Sequence, residues 1–303
     1  MSSEPLAKLA EEFFQASLDS SPTSAIMRGH KKYFDQIEEL TDEKFEEEME
    51  NVQNFKNSLS NIDLNSLSDK EKVTYGMLEF ALDSNYDSLV DRGWEFSAGV
   101  AGFESFLIDY NQQMFIPDKE SGDMLLKRLE LYEKFYSQIS DVQKRGLENN
   151  RVATQRNLKR SIDQLESYLK TSLDSDPLLL VNFAPTVDKK EISEWKEKAK
   201  KVVEKYVRPN VLSYLEQLQV EHLPKGRTDE NPGIMWIEGG EEVYLRSLRK
   251  YTGHKETTVK EVHEIGLSEI ERLKKEFFEI GKDVFDGVNS PEEVLYKMQT
   301  EPS

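Results

Sequence analysis

A chain of 303 residues, 37% apolar and 32% charged, with a net charge of −18, has the composition of a folded protein with a heavily charged surface. Acidity on that scale repels phosphate backbones, which excludes nucleic acid as an expected partner. The absence of cysteine excludes disulfides, thiolate metal sites and a cysteine nucleophile. Fifteen Phe, 12 Tyr and 3 Trp supply material for a core, while Gly and Pro, at 15 and 10, are scarce, which favours helix. The N-terminus, MSSEPLAKLAEEFFQ, has no basic region followed by an apolar run, and the longest apolar stretch, LLLVNFA at 178–184, is far short of the roughly 18 residues a membrane helix needs. The expected location is therefore the cytoplasm, with no membrane contact.

Helical spacing dominates the chain. Leu6, Leu9 and Phe13 share one face of a first helix. Residues 21–40 open on a Ser-Pro break and read as irregular or short-helical. Thr41 is placed to cap a helix with the stripe Phe45, Met49, Val52, Phe55 and Leu59. Ser68 and Glu71 have capping-box spacing ahead of a helix whose apolar face is Val73, Met77, Phe80 and Ala81. Residues 91–106, rich in Gly and aromatics without a clean period, read as a structured loop. After Pro117 a long helix is expected through Leu125, Leu129, Tyr132, Tyr136 and Ile139, then another through Leu158, Ile162, Leu165 and Leu169. Asp176-Pro177 and Ala184-Pro185 bracket a short connector or strand. The next helix carries Trp195, Ala199, Val202 and Tyr206, and Pro209 should kink or end it.

The turn-rich 222–242 segment leads into two helices, near 241–251 and 258–285. The second begins with a Thr258/Glu261 capping box, and its buried face is expected to be Val262, Gly266, Ile270, Leu273, Phe277, Ile280 and Val284. Gly266 and Gly281 on that side suggest the close approach of another helix. Ser290, Pro291 and Glu293 mark one more helix start. No period repeats and no Pro/Ser-rich linker interrupts the series. The expectation is an all-α, multi-helix body in one region, 1–303, with sub-lobes at 1–116 and 117–303.

Chemistry is harder to find. The sequence has four histidines, and a helical zinc site needs two ligands on one face. His263-Glu264 begins like a His-Glu-x-x-His signature, but Leu267 stands where the second histidine belongs. His30, His222 and His254 also lack local ligand partners, so each histidine reads as a surface or capping residue. No phosphate loop or nucleophile elbow occurs. With 58 Asp and Glu, any carboxylate pair is uninformative. No metal or catalytic residue is assigned.

One stretch, GGEEVYLRSLRKYTGHKETTVKEVHEIGLSEIERLKKEF at 239–277, resembles the domain-of-unknown-function family 885 through Gly240, Tyr244, Tyr251, Thr252, Thr258, Glu261, His263, Gly266, Leu267 and Glu269. Upstream segments fall in the family's order, so the resemblance spans essentially the whole chain. It implies a helical body like one half of a cleft-type zinc dipeptidase or carboxypeptidase. The family's presumed zinc motif, His-Glu-x-x-Pro-Gly-His, is absent from these 303 residues, so no metal ligand carries over, and zinc is implied only if a C-terminal half exists. The resemblance offers Trp236, Tyr244, Tyr251 and His254 as candidate cleft-lining residues.

Three functional readings follow. The chain is a truncated peptidase homologue without catalysis of its own, or a helical scaffold that binds a peptide or protein, or a fragment of a longer active metallopeptidase. The truncated edge near 270–300 should expose apolar surface, through which the chain would associate with itself or with a partner.

Overall fold

A computed structural model describes residues 4–98, 108, 110–111, 113–254 and 256–300. The chain divides into two compact units, one ending at Gly240 and one starting at Glu241. The boundary expected at 116/117 lies inside the first unit, because one core crosses it: Leu18, Ile26, Tyr33 and Phe34 pack in the same buried cluster as Leu125, Leu129 and Phe135.

The first unit opens with α1 (Glu4–Ser20) and α2 (Pro22–Met27), followed by α3 (Asp42–Ser60) and α4 (Asp69–Asp91). The Thr41 hydroxyl accepts from Lys44 N at 3.2 Å, and Ser68 and Glu71 form the capping box. The packed face of α4 is not the one expected. Leu78 and Leu82 are buried, whereas Val73, Met77 and Phe80 are exposed. Of the 91–106 loop, the described part holds a short turn at Gly93–Glu95, with Trp94 stacked on Phe45 at 3.9 Å; residues 99–106 lie outside the described residues.

Two two-residue strands, β1 (Phe115–Ile116) and β2 (Asn182–Phe183), pair in parallel with Phe115 opposite Asn182. The long helix expected after Pro117 is two, α5 (Lys119–Glu130) and α6 (Tyr132–Glu148), hinged at Leu131 with a ψ of −8°. Both bury one face, so the apolar spacing ran through a break that periodicity does not register. α7 (Gln155–Lys170) buries Leu158, Ile162 and Leu165.

α8 (Lys189–Val202) continues through a wide π-helical turn, Val203–Val207, into α9 (Arg208–Gln217) and a second π turn, Leu218–His222. Pro209 has no N–H to donate, and the loosened turn ahead of it accommodates the ring without ending the helix. The buried stripe Val203, Val207, Val211, Leu215 and Leu218 runs through both changes of pitch. It also carries His222 inside, 3% exposed, which corrects the surface reading of that residue. Its Nδ1 lies 3.4 Å from the Gln217 carbonyl oxygen, and Nε2 has no hydrogen-bond partner among the described residues.

The second unit comprises most of α10 (Gly240–Thr252), the 26-residue α11 (Val259–Val284) and α12 (Pro291–Thr300). Caps begin α11 and α12 as expected: Thr258 and Glu261 form a capping box, and Ser290 Oγ accepts from Glu293 N at 3.1 Å. Gly281 is where α12 approaches, since a Cβ there would lie 2.4 Å from a methyl of Val294. Gly266 has nothing within 4 Å of where its Cβ would be, so only one of the two glycine notches is filled. The face of α11 expected to be buried is largely uncovered: Ile270 and Leu273 are about half exposed, Ile280 is 63% exposed and Val284 66%.

Candidate functional site

The four cleft candidates are distributed over both units. Trp236 ends a short turn, Ile234–Trp236, in the first unit, and its side chain is half exposed. The backbone beneath it is pinned. Arg227 donates from Nε to the Val152 carbonyl at 2.8 Å, and its Nη1 donates to the carbonyls of Asn231, at 3.0 Å, and Gly233. Burial lowers the pKa of Arg227, but three carbonyl acceptors remain for the charge. The two glycines that follow have distinct reasons. Gly239 adopts a φ of +68°, a conformation that side chains resist. Gly240 is crossed by the backbone of Ile234, whose carbonyl oxygen would sit 1.9 Å from an added Cβ.

Tyr244, Tyr251 and His254 belong to the second unit. The tyrosines are two turns apart on α10, hence on one side of it, and both are exposed, Tyr251 by 86%. Gly253, at φ +72°, ends the helix by donating to the Arg249 carbonyl at 2.9 Å, and His254 N donates to Thr252 Oγ1 at 3.2 Å. His254 then lines an open hollow of about 410 Å³ with Glu256, Thr257, Glu261 and Ile265. The tyrosines are not part of that lining.

Glu261 is the hollow's fixed anion. It accepts from Thr258 N and Thr258 Oγ1, both at 2.8 Å, and these bonds hold its pKa below the usual glutamate value. It is committed to the cap of α11 and presents only its remaining lone pairs to a ligand. His263 is exposed on the same helix. Among the described residues no group of three or more His, Asp or Glu side chains is arranged to hold a metal ion. The hollow can offer hydrogen bonds from His254 and Thr257 and an apolar contact from Ile265.

Continuing from that contact, the exposed side chains of α11 make a longer surface. Val259, Ile265, Leu267, Ile270 and Leu273 are all between 44% and 59% exposed. In the first unit, Val73, Met77 and Phe80 make a second uncovered stripe on α4, with Met77 69% exposed.

The sequence profile described as "Bacterial protein of unknown function (DUF885)" matches residues 22–303. The chain belongs to the DUF885 family. No curated protein matches. Among solved structures it is similar to "the putative lipoprotein from Colwellia psychrerythraea", with 18% sequence identity and a TM-score of 0.81. That match covers 98% of this chain and 54% of the other, so this DUF885 chain spans about half the length of the solved protein. At such low identity the likeness establishes a shared helical fold. The described part of this DUF885 chain has no helix long and apolar enough to cross a membrane.

Proposed function

We propose that this DUF885 chain is a polypeptide-binding helical scaffold with peptidase-like architecture and no hydrolytic activity of its own. The observation that carries the reading is the uncovered stripe of α11. Its spacing is that of a face built for burial, yet Ile270, Leu273, Ile280 and Val284 are half to two-thirds exposed. A helix of 26 residues extends about 39 Å at 1.5 Å per residue, and apolar surface on that scale marks a docking face. The uncovered stripe on α4 is a second instance of the same mismatch.

The occupant we assign is further polypeptide of the family's own fold. The solved relative has nearly as much chain again beyond the part matched here, and added helices of that kind would cover such a stripe. The peptidase-like part of the reading rests on the motif resemblance at 239–277. The absence of catalysis rests on the missing second histidine after His263: hydrolysis of this class needs a metal-bound water and a general base.

The test uses the purified 303-residue chain and its Ile270→Lys/Leu273→Lys/Ile280→Lys variant. The wild type should bind 8-anilinonaphthalene-1-sulfonate and self-associate as concentration rises in sedimentation velocity. The variant should stay monomeric, lose most dye binding and keep its helical circular dichroism. A wild type that is strictly monomeric and binds no dye overturns the docking face. Chelator-sensitive cleavage of peptides by the purified chain overturns the non-hydrolytic reading.

A further inference from the structure

The N-terminal bundle holds a pocket that sequence periodicity does not reveal. α1, α3 and α4 share a core closed at one end by Leu6, Leu9, Leu59, Leu78 and Leu82. Ser17 and Ser20 near the end of α1 and Asn85 and Ser88 on α4 are small or polar lining residues of a gap between these helices. The result is a hollow of about 320 Å³, within the range of roughly 300–1,000 Å³ typical of small-ligand sites.

Part of its lining is aromatic and apolar. Phe13 and Phe55 meet edge to face at 5.7 Å, and Leu89 flanks them. Its charged groups are Asp19 from α1 and Lys44, Glu47 and Glu48 from α3, with no titratable group from α4. Three of the four are committed. Asp19 accepts from Tyr33 Oη at 2.7 Å and Lys32 Nζ at 3.0 Å, and Lys44 pairs with Glu47 at 3.3 Å. Glu48 is half buried and has no hydrogen bond or ion pair among the described residues. Burial raises its pKa, opposed by the nearby charge of Lys44. Asn51 and Asn85, also lining the pocket, have unengaged side-chain amides among the described residues. A half-buried carboxylate with no hydrogen bond or ion pair among the described residues, sharing its pocket with two unengaged amides and two aromatic rings, is complementary to a cation with an apolar body.

We propose that this pocket binds a small primary ammonium ion with an aromatic or aliphatic body, the ammonium held by Glu48 with the Asn51 and Asn85 amides and the body lying against Phe13, Phe55 and Leu89. The site lies within the first unit and is independent of the docking face on α11.

Isothermal titration of the full chain with 2-phenylethylamine, 3-phenyl-1-propanol and 3-phenylpropionate tests it. The amine should bind, the neutral alcohol at least tenfold more weakly, and the carboxylate not at all. Glu48→Gln should weaken the amine by tenfold or more while keeping the wild-type melting curve, and Glu47→Gln should leave it within about twofold. Affinity should rise with pH through the elevated pKa of Glu48 and fall again as the amine loses its proton near pH 10. Equal binding of the amine and the alcohol, an unaffected Glu48→Gln, or no binding of the amine each overturns the assignment. Binding of a lysine-containing peptide without binding of the small amine overturns it also, in favour of a protein-docking role.

Discussion

Replacing Arg128 with alanine is expected to cost about 3–5 kcal/mol of unfolding free energy, the range for removing one partner of a buried ion pair. Arg128 is fully buried, as is Thr23, and Glu38 is 7% exposed. The guanidinium donates to the Gln36 carbonyl and to Thr23 Oγ1, and lies 3.6 Å from Glu38 Oε2. Glu38 in turn accepts from Thr23 N at 2.9 Å and Thr23 Oγ1 at 2.7 Å. One cation on α5 thus ties down the N-terminus of α2 and the irregular 36–38 segment, which has few ladder bonds of its own. Without it, the Glu38 carboxylate and the Gln36 carbonyl are left in a dry site with fewer donors. Urea unfolding followed by circular dichroism reads the loss. The double change Arg128→Met/Glu38→Leu should recover a large part of it, because neither charge is then stranded. A double variant no more stable than Arg128→Ala would show that packing volume, not charge burial, governs the site.

That network is not legible in the sequence. Arg128 falls one residue before Leu129 of the expected stripe, and nothing in its spacing distinguishes a buried arginine from a solvated one. Local features fared better. The caps at Thr41, Ser68, Thr258 and Ser290 need only residues within one turn of each other, so they are readable from the chain alone, and all four form. Faces are a different matter. Val73-Met77-Phe80 on α4 and Ile270-Leu273-Ile280 on α11 have the spacing of a packed side, and the structure leaves both exposed. Periodicity reports that a face is apolar and carries no information on whether the chain itself supplies the cover. The same limit explains Trp236, Tyr244, Tyr251 and His254. Among the described residues His254 lines an open hollow, while Tyr244 and Tyr251 stand out from α10. Glu48 was illegible for the opposite reason. It is one of 58 carboxylates, and its isolation depends on what Asp19 and Lys44 do elsewhere.

Two glycine-to-alanine changes, both inside helices, should move stability in opposite directions. In a helix interior alanine is favoured over glycine by about 1 kcal/mol, and Gly76 on α4, with nothing within 4 Å of an added Cβ, should realise most of that gain. Gly146 on α6 should not. A Cβ there would lie 2.3 Å from the Glu95 carbonyl oxygen and 2.8 Å from that of Arg151. Both obstacles are backbone atoms, so no rotamer change relieves them. Their positions are also held from several sides. The Glu95 carboxylate is buried and accepts from Arg151 Nε at 2.7 Å, while the same guanidinium donates to the carbonyls of Asp91 and Glu238, the latter at 2.6 Å. Next to Glu95, Trp94 is stacked on Phe45. Arg151 N itself donates to the Gly146 carbonyl at 2.7 Å, which keeps the chain after α6 folded back over the glycine. Moving either segment disturbs the buried Glu95–Arg151 ion pair, so the overpacking cost should sit at the upper end of its usual range, about 3 kcal/mol. After the propensity gain, Gly146→Ala should be destabilised by about 2 kcal/mol, a lower urea midpoint with the slope unchanged. A midpoint at or above wild type would mean that the 93–95 turn yields freely, and that Arg151 does not anchor it.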